Sequence, residues 1–200
     1  MTMMKIIYFL LLFIVPIKCI EWKKENHTYV VVPNKTIRPN QLYGFRIFDS
    51  KQKTLLYQLK VSSKDMDTAM LVDNPTKNMV GNLEGIWIDK AFNITFSVYD
   101  NKLIKWTDGI IQSKWHLLSP YYTMEYNNEQ FIAKWKGVSR QANVYTKNQN
   151  ELLAEWRPPT LSLLWKYPKY NLKIYSNKLP DAIYFFLLLV MDHRYLDYDS

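Results

Sequence analysis

The 200-residue chain has one cysteine, Cys19, and no second thiol to pair with it. That excludes disulfide-stapled toxin and inhibitor scaffolds, and it excludes thiolate metal sites, which need several cysteines. Glycine is scarce, five in all, leaving little material for the glycine-rich phosphate loops of nucleotide-binding enzymes. The three histidines, His27, His116 and His193, stand far apart, and Asp192-His193 alone brings a second metal-type ligand close. Adjacent residues on a helix point about 100° apart, so that pair is poor geometry for one ion. Neither Gly-x-Ser-x-Gly nor His-Glu-x-x-His occurs, and neither a metal nor a cofactor is expected. No apolar run reaches the roughly 20 residues of a spanning helix.

What is present is apolar and aromatic. Hydrophobic residues make up 48% of the chain and aromatics 16%, which rules out a disordered or collagenous protein. The length suits one domain held by its core. Lys5 precedes the apolar stretch Ile6 to Val15, Pro16 breaks it, and Cys19 offers a small residue for cleavage. Residues 1–19 therefore read as a secretory signal peptide, with a mature chain beginning near Ile20 in the extracellular space or a secretory lumen. Removing them lowers the net charge from +8 to +6, so the mature chain stays basic. Three Asn-x-Thr sequons follow, with Asn26, Asn34 and Asn93 as candidate glycan acceptors.

Most of the mature chain alternates at period two between polar turns, which is the strand signal. Ile94, Phe96 and Val98 share one face against Asn93, Thr95 and Ser97, and Phe131, Ala133 and Trp135 oppose Lys134 and Lys136. A hairpin unit recurs about every fifty residues: Phe45 to Tyr57, Phe96 to Trp106 and Asn143 to Trp156. About twelve short strands fit between Tyr29 and Ile174. So many antiparallel strands in one domain close or split, because an open sheet leaves long edges. The C-terminus differs. After Pro180-Asp181, Ala182 to Met191 is apolar on every side of a helix, which must be buried or lie in a membrane. It is too short to span a bilayer, so the segment 181–193 is expected to be buried all round. Together these predict a mainly β fold, an antiparallel barrel of about twelve strands enclosing a hydrophobic C-terminal helix.

The repeated hairpins Phe45 to Tyr57 and Phe96 to Trp106, with the closing segment Asp181 to Asp192, resemble the Tubby C-terminal-like superfamily, which includes phospholipid scramblase and LURP-one-related domains. The resemblance runs from about Leu42 to Leu196. It implies a twelve-stranded barrel threaded by its C-terminal helix and, in some members, membrane-lipid binding through a basic surface. Scramblase-type cysteine clusters and acidic calcium segments are absent, so no functional residue is carried over. The expected organisation is a signal peptide (1–19), an N-terminal extension with the first strand (20–41), the barrel (42–196) and a tail (197–200).

Basic residues interleaved with aromatics give the best candidate surface. Lys134, Lys136 and Arg140 follow one hairpin, and Arg157, Lys166, Lys169, Lys173 and Lys178 precede the helix among Trp165, Tyr167 and Tyr170. Such a surface can grip anionic membrane lipid, an acidic glycan or an acidic face of an extracellular protein, while secretion argues against nucleic acid. Glu84, Glu125 and Glu155 lie beside aromatics, but as strand-end carboxylates facing water they suggest no catalytic pair, and no enzymatic activity is expected. The rival expectation is a lipocalin-like carrier of a small apolar ligand. Gly85-Ile86-Trp87 matches that family's short Gly-x-Trp signature, although a lipocalin's helix packs outside its barrel and shows a polar face.

Overall fold

The computed structural model describes residues 26–34, 44–61, 67–87, 92–116, 119–136, 139–159 and 169–192. Residues 1–19, read from the sequence as a signal peptide, lie outside them, as do His193 and the tail 197–200. Twelve strands are described: β1 (His27–Pro33), β2 (Gly44–Asp49), β3 (Leu55–Val61), β4 (Thr68–Asp73), β5 (Met79–Glu84), β6 (Asn93–Asp100), β7 (Lys105–His116), β8 (Ser119–Tyr126), β9 (Glu129–Lys136), β10 (Gln141–Thr146), β11 (Leu152–Arg157) and β12 (Tyr170–Ile174). Each pairs antiparallel with its neighbours in sequence, and β1 also pairs with β12, so the sheet is a closed barrel with no free edge. The hairpins read from the repeat are β2–β3, β6–β7 and β10–β11, all formed.

β1, the first strand expected within 20–41, is the stave that closes the ring, with Val31 opposite both Ile47 and Tyr170. Its run of three valines carries no alternation, which hides its phase in the sequence.

The helix α1 (Asp181–Asp192) runs through the barrel. Ile183 to Met191 are buried, almost all of them completely, and Asp192 nearly so. Nine such side chains, at about 1.5–3 kcal/mol each, would lose on the order of 20 kcal/mol on exposure. That exceeds a typical domain's net stability of about 5–15 kcal/mol, so helix and barrel fold as one unit. Among the described residues no helix is long and apolar enough to cross a membrane.

Small residues on the inner wall make room for large ones. Ala142 lies opposite both Trp135 and Trp156. Gly109 lies opposite both Phe96 and Tyr126, whose rings stack at 6.2 Å. A Cβ on Gly81 would stand 3.0 Å from the Phe186 ring of α1.

Antiparallel order puts the turns 50–54, 74–78, 101–104, 127–128 and 147–151 at the end where α1 enters. There Asp181, at the positive end of the helix dipole, accepts hydrogen bonds from the Tyr29 hydroxyl (2.5 Å) and from His27 Nδ1 (2.8 Å). Burial, and then the Asp181 charge and hydrogen bond, push the Tyr29 phenol far above its ordinary range, so it stays a donor. At the other end the Tyr170 hydroxyl donates to Asp192.

Candidate functional site

Strand register assembles a basic–aromatic wall that the linear sequence disperses. On the outer face, Lys114 of β7 lies opposite Tyr121 of β8, which lies opposite Lys134 of β9. The same row continues through Asn143 of β10, Glu155 of β11 and Lys173 of β12. Neighbouring strands stand about 4.8 Å apart, which sets Lys134 and Lys173 roughly 14 Å from each other across three strand spacings. Lys136 and Arg157 lie two residues further along their strands, on the same face and exposed. The Lys134 ammonium lies over the Tyr145 ring at 6.0 Å and donates to Gln149, and Asn143 donates to the Tyr145 hydroxyl (3.0 Å).

Glu155 is the acid within this row, and its charge is already used. Arg157 pairs with it at 2.8 Å, and the Tyr175 hydroxyl donates to it at 2.8 Å. It tethers Arg157, while Glu84 and Glu125 face solvent.

Of the residues expected on the surface, Lys134, Lys136, Arg157 and Lys173 come together here. Arg140 is half-buried in the turn before β10, in a left-handed conformation (φ 48°). Lys169 donates to Gln52 Oε1 (3.1 Å). Lys178 belongs to the helix-entry end, where a hydrogen bond and the charge of Glu151, 2.8 Å away, raise its pKa. Tyr170 is a correction: it is completely buried, because the alternation of β12 turns Tyr170, Leu172 and Ile174 inward and Asn171 and Lys173 outward. Trp165, Lys166 and Tyr167 lie outside the described residues. The aromatics that do flank the cations are Tyr121 and Tyr145, which the same period-two phase of their strands would have revealed. Two of the sequon asparagines, Asn26 and Asn93, are exposed, and Asn34 is half-buried.

A second concavity opens at the helix-entry end, a cleft of about 1090 Å³ between the turns and the start of α1. The turn after β6 forms one wall. Burial pushes the Asp100 carboxyl up, but hydrogen bonds from the Tyr126 hydroxyl (2.6 Å) and the turn amides of Lys102 and Leu103 outweigh it and hold its pKa below the usual range. Burial, and then the same contact, push the Tyr126 phenol up. Ile104 sits at the tip with φ 52° and is 76% exposed, and Trp106 follows at 45%. Opposite, Tyr57 packs against Phe185, and burial followed by the charges of Asp181 and Asp73 raises its pKa. No sequence signal marks this cleft, because it is built from turns that closure of the ring brings together.

Among the described residues no group of three or more His, Cys, Asp or Glu could hold a metal ion. Comparison with known protein families, curated proteins and solved structures gives no match, so the reading of this chain rests on its own residues and geometry.

Proposed function

We propose that this is a non-enzymatic binding protein of the secretory route, built on a Tubby-like or LURP-one-like barrel and acting through its outer wall on an anionic partner. The observation that carries the reading is the register that lines up Lys114, Lys134 and Lys173 across six strands, with Lys136 and Arg157 beside them. Rigid strands hold these cations at fixed separations, which favours a partner with repeated negative charge: a sulfated glycan, an anionic lipid surface or an acidic protein face. Two features support the resemblance to Tubby-like domains, the twelve staves and the enclosed C-terminal helix. The enclosed helix also favours surface action over the lipocalin-like carrier, because the axis where a carrier holds its ligand is filled by Phe185, Phe186 and their neighbours.

The test is retention on immobilised heparin and, separately, on vesicles containing phosphatidylserine. Binding should weaken steeply with salt as counterions return, and Lys134→Glu with Lys173→Glu should weaken it at least tenfold. Binding to neither probe at physiological salt, or binding indifferent to both substitutions, contradicts the reading. Retention by one probe alone identifies the class of partner.

A further inference from the structure

The cleft at the helix-entry end differs in electrostatic character from the wall. Its charged groups are already satisfied within the protein. Asp73 accepts from Thr76 Oγ1 (2.6 Å) and the Thr76 amide (3.0 Å), and Asp100 accepts from Tyr126 and its own turn. Asp181 is held by Tyr29 and His27, Lys102 donates to the Asn177 carbonyl, and Lys178 pairs with Glu151. Groups left over are neutral: the side-chain amides of Asn78 and Asn101, the hydroxyls of Tyr57 and Tyr99, and the indole N–H of Trp106. All five line the cleft, and none makes a side-chain hydrogen bond among the described residues.

That residue of chemistry discriminates between ligands. An anion would find its complementary cations already engaged. A purely apolar molecule would strip water from amides and hydroxyls and return no hydrogen bond, at a cost for each. A neutral polyhydroxylated ligand meets both needs, since carboxamides and phenols pair with its hydroxyls while an aromatic face covers the C–H side of its ring. Trp106 offers such a face: it is 45% exposed and braced edge-on by Tyr99 at 6.0 Å. The cleft, at about 1090 Å³, lies at the top of the usual small-molecule range of roughly 300–1000 Å³, which gives room for more than one sugar ring.

We infer that the helix-entry cleft is a binding site for a neutral oligosaccharide, stacked on Trp106 and hydrogen-bonded by Asn78, Asn101, Tyr57 and Tyr99. The site is separate from the wall and independent of its charge. Its apolar rim, Leu103 and Met79, shields the stacked ring from water.

The experiment uses the full chain stripped of N-glycans, because Asn26 donates to Asn177 on the cleft lining and a glycan there would compete. The probe is an array of neutral oligosaccharides of hexose and N-acetylhexosamine units, with hits titrated by calorimetry at low and high salt. At least one neutral glycan should bind with an affinity that changes less than twofold with salt. Trp106→Ala and Asn101→Ala, both at exposed positions, should each weaken it tenfold or more, while Lys134→Glu with Lys173→Glu should leave it unchanged. Circular dichroism of each variant confirms folding. No bound neutral glycan, binding that survives both cleft substitutions, or binding confined to sulfated glycans overturns the inference, and the last of these would leave the wall as the site.

Discussion

The Tyr126 hydroxyl donates to the Asp100 carboxylate across 2.6 Å, tying the turn after β6 to the strand two staves away. This contact sets a pH dependence. Asp100's folded pKa is depressed, so its contribution is fully present above the unfolded value of about 3.9 and fades as pH falls through the folded one. Tyr126→Phe should cost about 1–2 kcal/mol near neutral pH. The urea midpoints of wild type and variant should converge as pH falls below the unfolded value of about 3.9 and through the depressed folded one, once the carboxylate is protonated in both. A difference that stays constant across that range would assign the loss to packing instead.

Gly109 carries a packing constraint that no hydrophobicity pattern reveals. A Cβ there would stand 2.3 Å from Phe96 Cζ and 2.6 Å from the Glu125 carbonyl oxygen. Gly109→Ala should destabilise the barrel by about 1–3 kcal/mol through overpacking. Chemical denaturation reads this directly, and a change within experimental error would mean that the Phe96–Tyr126 stack moves freely.

Tyr170 and Asp192 separate a structural role from a binding one. Asp192 is buried at the C-terminal end of α1, and the Tyr170 hydroxyl donates to it. Tyr170→Phe should cost about 1–3 kcal/mol, the range for removing one partner of a buried hydrogen bond. It should leave heparin retention unaltered. Weakened retention by a still-folded variant would return Tyr170 to the binding surface.

The salt slope offers a count. Replacing Lys134 alone should lower the slope of log affinity against log salt by about one for a polyanionic probe. A slope unchanged by Lys134→Ala, with affinity also unchanged, would place the contact elsewhere.

Most of the strands and the helix are legible because they announce themselves locally. Ile94-Thr95-Phe96-Ser97-Val98 alternates cleanly, and Ala182 to Met191 offers no polar face to water. β1 was less legible, since its valine run has no phase and its partner β12 lies some 140 residues away in the chain. The wall was half legible: the lysines are visible, but their alignment depends on register, which closure of the barrel imposes. Tyr170 stands among lysines in the sequence, although the alternation Tyr170-Asn171-Leu172-Lys173-Ile174 already assigns it inward. The cleft was not legible at all, because Asn78, Asn101 and Tyr57 belong to separate hairpins.

The central claim is that the barrel is filled by its own helix and that its chemistry lies outside. Native mass spectrometry of the protein purified from secreting eukaryotic cells, followed by organic extraction, tests it most directly. The expected mass is that of the polypeptide with any covalent glycans, and no apolar molecule should be released. A stoichiometric apolar ligand in the extract would contradict the claim and make the chain a carrier.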